Sequence, residues 1–372
     1  MAFALLSRQT NIDFVGFRRI AYSISGFFII LGLIAIFWNG GLRYGVDFAG
    51  GVMVQIEFAQ PIPDEQVKTA LKDVDLPGLT VQQVDTEDRD YLLRFSMPAA
   101  ENQDLREQVS SALKSSIPDN PSTIQRLESV GPKVGNDLRN MAIEALFYAV
   151  LLITVYISGR FEYSWFMAGA MAIVLWAAVY GASYLGFNRL WGVAIGMIIT
   201  LLCCWKLKLN FALGAILALI HDVIVTLGLL TLLGVEIDLN VIAALLTLVG
   251  YSINDTIVVY DRIRENLRAV PADAHPKPTM GQIINKSVNQ TLSRTIMTSA
   301  TTLVASLALY LLGGNVIHDF ALTITLGIVF GTFSSIFVAS PILIAFGDVD
   351  LYHHSKTKQK DDYERPGEHG IV

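Results

Sequence analysis

Apolar side chains in this chain come in long blocks separated by short polar breaks. Blocks near the roughly 20 residues needed to cross a hydrocarbon layer fall at Ile20–Trp38, Leu138–Ser158, Trp165–Gly186, Leu190–Trp205, Phe211–Leu233, Leu239–Tyr260, Thr295–Leu312 and Phe320–Phe346. This pattern predicts a polytopic α-helical membrane protein with about eight spans. Leu190–Trp205 is short, and a tilted or re-entrant piece is the alternative there. The stretch from about Tyr44 to Gly135 is different: polar, acidic and punctuated by Pro and Gly. Val52, Val54, Ile56 and Phe58 alternate with Met53, Gln55 and Glu57, which is strand period. Pro63–Asp73 reads as a short helix opened by proline and acids. Thr80–Val84 and Tyr91–Met97 read as strands, Glu101–Ile117 as a helix and Ser122–Val130 as a last strand. The order β-α-β-β-α-β predicts a ferredoxin-like α+β domain.

Composition supports this division. Of 372 residues, 53% are hydrophobic and 16% charged, against about 25% charged in soluble domains, and the mean hydropathy is +0.49. The net charge of −6 gives no reason to expect nucleic acid as a partner. Cys203 and Cys204 are adjacent within an apolar run and suggest neither a disulfide nor a metal site. Arg8, Arg18 and Arg19 precede the first apolar run, and no small-residue cleavage site follows it, so the run reads as an uncleaved anchor. Lys and Arg gather at alternate breaks: Arg160, Lys206 and Lys208, then Arg262 to Arg294, then Lys356 to Lys360. Arg43 and Arg189 are exceptions. The bias places both termini in the cytoplasm and the 44–135 domain outside.

No Walker A loop, nucleophile elbow, HExxH or dinucleotide fingerprint occurs. An enzyme is therefore not expected, and no cofactor is. Work by this chain has to come from a gradient or a partner. The candidate chemistry lies inside the apolar blocks. Asp255 sits within Leu239–Tyr260, where a carboxylate costs about 2.5–3.5 kcal/mol to insert at the membrane centre. Such a group faces a protein interior or a water-filled cavity. Ser287, Thr291, Arg294, Thr298, Thr301, Thr302 and Ser306 recur at mostly three- and four-residue steps, one polar stripe on a helix. Arg294 stands near the cytoplasmic end of its span, at a depth compatible with Asp255. A buried carboxylate is pushed toward neutral by desolvation and toward charged by a guanidinium. A group under two opposed pulls suits a proton relay. A structural ion pair, or an Arg294 that snorkels to the interface, are open alternatives. His221 and Asp222 form a second intramembrane pair, either a relay or a buried polar contact needing a partner on another helix. Ser252 and Asn254 flank Asp255 and read as interhelical glue. Gly327, Gly331 and Ser335 read as a packing face.

Six motifs carry a family resemblance: YGVDFAGG (Tyr44 to Gly51), VGPKVG (Val130 to Gly135), Arg160-Phe161-Glu162, HDVIVTLG (His221 to Gly228), GYSINDTIVVYDRIREN (Gly250 to Asn266) and NQTLSRTIMTS (Asn289 to Ser299). In these the chain resembles the SecF family of the bacterial Sec export machinery, related to the proton-driven RND transporters. The resemblance implies an inner-membrane protein with an RND-like bundle and a ferredoxin-like periplasmic domain. It implies SecD as partner beside the SecYEG channel, with YidC and YajC as further partners. It implies an unfolded exported polypeptide as cargo and protons as the driving species, used to promote late-stage translocation. Asp255 and Arg294 match the family positions tied to proton flow. The family has six spans, and the 163–209 stretch is additional here. The organisation this suggests is a cytoplasmic N-terminus over 1–17, a first span over 18–39 and a periplasmic domain over 44–135. A second span over 138–160, a hydrophobic hairpin over 163–209, a core over 211–346 with a cytoplasmic loop at 261–293, and a cytoplasmic tail over 347–372 follow. Two competing functions are a passive scaffold for SecD and the channel, and a small-molecule exporter. The outer domain is small for the latter.

Overall fold

The structure, a computed structural model, describes residues 10–346 apart from 75, 84–88, 97–104, 163–164, 185, 187–188 and 272–274. The expected tail at 347–372, the first nine residues and the start of the Glu101–Ile117 helix lie outside the described residues. The chain divides into two compact units, one of residues 42–143 with 234–242, the other of the remaining helices.

The smaller unit begins with a single helical turn, after the long first helix α1 (Arg18–Trp38). This turn is α2 (Val46–Ala49), followed by β1 (Gly51–Phe58), α3 (Asp64–Ala70), β2 (Thr80–Gln83), β3 (Asp90–Phe95), α4 (Leu105–Ser116) and β4 (Ser122–Val130). The sheet order is β2-β3-β1-β4, and every neighbouring pair is antiparallel. β1 is central, so its alternating Val52, Val54, Ile56 and Phe58 are buried under α3 and α4, which contribute Val67, Val109 and Leu113. A register shift between Gln55 and Ile56 bends the β1–β4 pair. The strand can start where it does because of two glycines. Gly50 and Gly51 have φ +76° and +121°, and a Cβ at Gly51 would stand 2.9 Å from the Phe95 carbonyl oxygen. Only glycine combines that dihedral with that approach. Residues 234–242, which include the start of the predicted Leu239–Tyr260 block, belong to this unit. Ile237 donates to the Arg43 carbonyl (2.7 Å) and accepts from Gly45 N–H (3.0 Å), while Asp47 accepts from Leu239 N–H (3.0 Å).

The helices follow as α5 (Pro132–Glu162), α6 (Trp165–Tyr184), α7 (Arg189–Lys206), α8 (Asn210–Leu232), α9 (Leu239–Arg268), α10 (Met280–Leu312) and α11 (Asn315–Ser334). Among the described residues six helical stretches are long and apolar enough to cross a membrane: α1, α5, α8, α9, α10 and Ile317–Ala345. In the 163–209 stretch the apolar helices are shorter, Trp165–Gly181 and Trp191–Lys206. They pack against α5 through Phe147, Leu151, Leu175 and Val179. The 261–293 segment is mostly helix rather than loop. α9 runs on to Arg268, and α10 starts at Met280 behind a capping box of Thr279 and Gln282. Asn266 bridges the two, donating to Ser287 Oγ (2.8 Å) and Gln290 Oε1 (3.0 Å).

After α11 the helix widens into a π turn, Ser335–Ala339. The local sequence explains it. Pro341 has no N–H for the carbonyl one turn back, and the Ser340 hydroxyl donates five residues back to the Ser335 carbonyl (3.0 Å). Tyr260 Oη donates to the Ala339 carbonyl (3.0 Å).

Before α1 the chain is clipped onto α10 by two asparagines. Asn289 exchanges hydrogen bonds with the Ile12 backbone (2.9 and 2.8 Å). Asn285 accepts from Val15 N–H (2.9 Å) and donates to Asp13 Oδ1 (2.6 Å). Phe14 is buried, edge-on to Phe337 of the π turn at 5.6 Å. The Gly16 N–H, then the Asn285 side chain, hold the Asp13 carboxyl below its ordinary range. A depressed carboxyl stabilises above its unfolded value, about 3.9, and its contribution is lost as pH falls through the lower folded value. The clip is thus at full strength at neutral pH. Asp13→Ala is expected to speed hydrogen exchange at Val15 and Gly16 at neutral pH. Acidification of the native chain produces the same change, after correction for the intrinsic pH dependence of exchange. Unchanged protection in Asp13→Ala would show that the clip does not depend on the carboxylate.

Candidate functional site: two buried aspartates among hydroxyl side chains

Four helices, α8 to α11, build the site, and small residues let them meet. On α9, Ser252, Asp255, Thr256 and Tyr260 recur at three- and four-residue steps and are all buried. On α11, Gly327 and Gly331 face α9. A Cβ at Gly327 would fall 2.5 Å from Leu248, and one at Gly331 would fall 3.2 Å from Ser252 Cβ and 3.6 Å from Asp222 Oδ2. On the other side of α8, Gly228 lies against Gly32 of α1, backbone to backbone.

Asp222, in the middle of α8, is 1% exposed. Its Oδ2 accepts from Ser252 Oγ (2.6 Å) and Ser334 Oγ (2.9 Å), and its Oδ1 lies 2.9 Å from His221 Nδ1. Thr256 and Ser335 share a further hydroxyl contact (3.0 Å) next to this cluster. Asp255, one turn along α9 from Ser252, is 3% exposed. Its Oδ2 accepts from Ser299 Oγ (3.2 Å) and its Oδ1 from Thr298 Oγ1 (3.4 Å). Ser299 in turn accepts from Thr332 Oγ1 (2.7 Å). Hydroxyls donate to a carboxylate and accept from a carboxylic acid, so this shell fits both protonation states. Hydration and nearby charge then decide where a proton resides.

The sequence-predicted residues separate here. Ser252 and Thr298 join the two aspartates' shells, but Ser252 binds Asp222 rather than Asp255. Asn254 is exposed and makes no side-chain hydrogen bond among the described residues. One residue is about 100° around a helix, which turns Asn254 away from the face of Asp255. Arg294 is exposed and forms no ion pair with Asp255 among the described residues. It lies one turn before Thr298, whose hydroxyl bonds to its carbonyl (3.1 Å). Sequence reasoning misses Ser299, Thr332 and Ser334. The one signal for them is their three- and four-residue spacing to Thr295, Gly331 and Ser335, which reads equally well as packing.

The helix bearing Asp222 is anchored from α5. Glu162 Oε1 accepts from Phe211 N–H (2.8 Å) at the start of α8, where the free N–H groups of a helix need acceptors. Phe161, Phe211 and Tyr260 pack ring on ring around it, with centroids 5.2 to 5.9 Å apart. Arg160 pairs with Asp261 at 2.5 Å, and Arg264 donates to the Arg160 carbonyl. Glu162→Ala is expected to lower stability by about 1–2 kcal/mol, the size of a lost cap, while Glu162→Gln keeps an acceptor oxygen and loses less. Thermal denaturation of the two variants in detergent checks this ordering, and equal melting would refute the capping role.

Comparison with known proteins places this geometry in a family. The family described as "Protein export membrane protein SecD/SecF, C-terminal" matches residues 108–184 and 184–349, and the SecD/SecF GG motif matches residues 35–62. The protein translocase subunit SecF of Desulfurispirillum indicum is 38% identical over 95% of this chain and 97% of its own length. That of Magnetococcus marinus is 39% identical over 91% and 92%. The crystal structure of SecDF, a translocon-associated membrane protein from Thermus thermophilus, superposes with a TM-score of 0.64 at 31% identity. The match covers 91% of this chain but only 39% of that longer one.

Proposed function

The chain belongs to the SecD/SecF family of protein export membrane proteins, and from that premise we propose that it uses the proton gradient, together with a SecD subunit, to promote the late stage of protein translocation. The setting is the bacterial inner membrane beside the SecYEG channel, with YidC and YajC as neighbours and both termini in the cytoplasm. The α6–α7 hairpin brings the number of crossings to eight within an RND-like bundle. The smaller unit is read as a ferredoxin-like periplasmic domain, supported by its β-α-β-β-α-β order and its β2-β3-β1-β4 sheet. It holds the unfolded polypeptide and hinders backsliding.

One observation carries this reading. Asp255 is buried mid-helix with neutral hydroxyl partners and no cation within ion-pair distance among the described residues. A fixed structural ion pair would have one. A proton moving with the membrane potential releases about 2.3 kcal/mol per 100 mV, enough to bias a two-state element. Arg294, one helix turn from Thr298, tunes the charge on Asp255 as its distance changes. The test is release of a secretory protein, already threaded through the channel, from membrane vesicles with and without an imposed gradient. Vesicles containing the chain and its SecD partner release faster only when the gradient is present. Equal acceleration without a gradient would favour the passive scaffold.

A further inference from the structure

A proton relay at Asp255 leaves a second buried acid, Asp222, without a role. Asp222 is more enclosed than Asp255 and draws donors from three helices: His221 beside it, Ser252 on α9 and Ser334 on α11. A carboxylate needed only for packing would be served by those two serines. It would not need an imidazole with an open ring nitrogen. His221 is only 6% exposed, and its Nε2 has no hydrogen-bond partner among the described residues. Buried polar atoms are almost always satisfied, so an open Nε2 beside a carboxylate points to a species that comes and goes. Two more buried hydroxyls on α8 and α1 have no partner among the described residues. They are Thr226 Oγ1, one turn from Asp222 on α8, and Ser25 Oγ on α1, the helix that meets α8 at Gly32 and Gly228.

We propose that His221 and Asp222 form a second proton-holding site, loaded through His221 Nε2 and in series with Asp255. This rests on the proton-relay reading of Asp255. With Asp222 ionised, neutral His221 carries its proton on Nδ1 and donates it to Oδ1. An incoming proton forms an Nε2–H bond. The Nδ1–H bond breaks, and that proton forms an O–H bond on Asp222. One proton has entered, the imidazole is neutral again, and the carboxyl is neutral. Onward transfer faces one gap. Ser252 lies one helix turn from Asp255 on α9, and Ser334 lies two residues from Thr332, which reaches Asp255 through Ser299. The π turn begins at the residue after Ser334, and π turns mark places where helices accommodate functional irregularity. A shift of α11 at that turn changes the distance between the Ser334 hydroxyl on Asp222 and the Asp255 shell. Among the described residues, the titratable group in contact with Asp222 is His221. α9 and α11 present it with hydroxyls, α1 approaches α8 through glycine, and Asp255 is the next titratable group along α9.

The experiment measures proton flux against pH in vesicles holding the chain with its SecD partner. The variants are Asp222→Asn, Asp222→Glu, His221→Gln and Asp255→Asn. Asp222→Asn is expected to lower flux about tenfold or more, with Asp222→Glu recovering a substantial part. His221→Gln is expected to move the midpoint of the pH profile by about half a unit or more, which loss of packing alone does not do. If Asp222→Asn fails to assemble with SecD, the His221→Gln profile decides alone. Flux within about twofold of the native value in an assembled Asp222→Asn complex, or an unshifted His221→Gln profile, overturns the second site. Native flux in Asp255→Asn overturns the first reading instead, so the two failures are told apart.

Discussion

Replacing Asp255 by Asn is expected to abolish gradient-dependent export, reducing it to the level of vesicles that lack the chain, without disturbing the fold. The amide has nearly the shape of the acid. Its oxygen still accepts from Ser299 or Thr298, and its NH₂ finds acceptors in the same hydroxyls. What it cannot do is take up and release a proton. Because the shell is all hydroxyl, the substitution leaves no stranded cation in the membrane, and the large cost of breaking a buried ion pair does not arise. Assembly with SecD, followed by co-purification, should therefore be normal while stimulated release is lost. Stimulation near the native level in an assembled Asp255→Asn complex would remove the relay.

The largest effect on stability is expected at Gly228. A Cβ there would stand 2.5 Å from Gly32 Cα, which is backbone and has no rotamer to change. The two helices must separate, and α8 carries Asp222 while α1 follows directly on the N-terminal clip. Gly228→Leu is expected to cost about 3 kcal/mol or more, the upper end for overpacking, and to lower the amount of chain accumulated in membranes severely. Gly228→Ala causes part of the loss. Gly26→Leu, on the same α1 helix, is the neutral comparison, because a Cβ added at Gly26 meets nothing within 4 Å. Equal stability of Gly228→Leu and Gly26→Leu would show that α1 and α8 do not meet at these glycines.

Strands and helix cores are readable in the sequence because their signals are local. Val52 to Phe58 alternate because β1 is an interior strand with one buried face. The apolar blocks stand out because nothing else in a chain so lightly charged is that long. Helix ends are less readable. α9 reaches Arg268 and α10 begins at Met280 because Asn266, Thr279 and Gln282 make side-chain bonds that hydropathy does not register. The pairing of 234–242 with residues 43–47 is invisible for a similar reason: backbone hydrogen bonds across nearly 200 residues leave no periodic trace. At the site, the two aspartates announce themselves by cost alone. Their partners do not, because Ser and Thr in an apolar helix look the same whether they pack, bond to their own backbone or serve an acid. On α10 it is Thr298 and Ser299, rather than Arg294, whose side chains reach the Asp255 carboxyl.

The protonation of Asp255 itself can be followed by isotope-edited infrared difference spectroscopy on the native chain reconstituted with SecD, recorded as a proton gradient is imposed and collapsed. The predicted result is a carboxylic-acid C=O band that appears and disappears with the gradient and is absent in Asp255→Asn. A carboxyl that stays in one state throughout, or a band that persists unchanged in Asp255→Asn, would contradict gradient-driven proton binding at this residue.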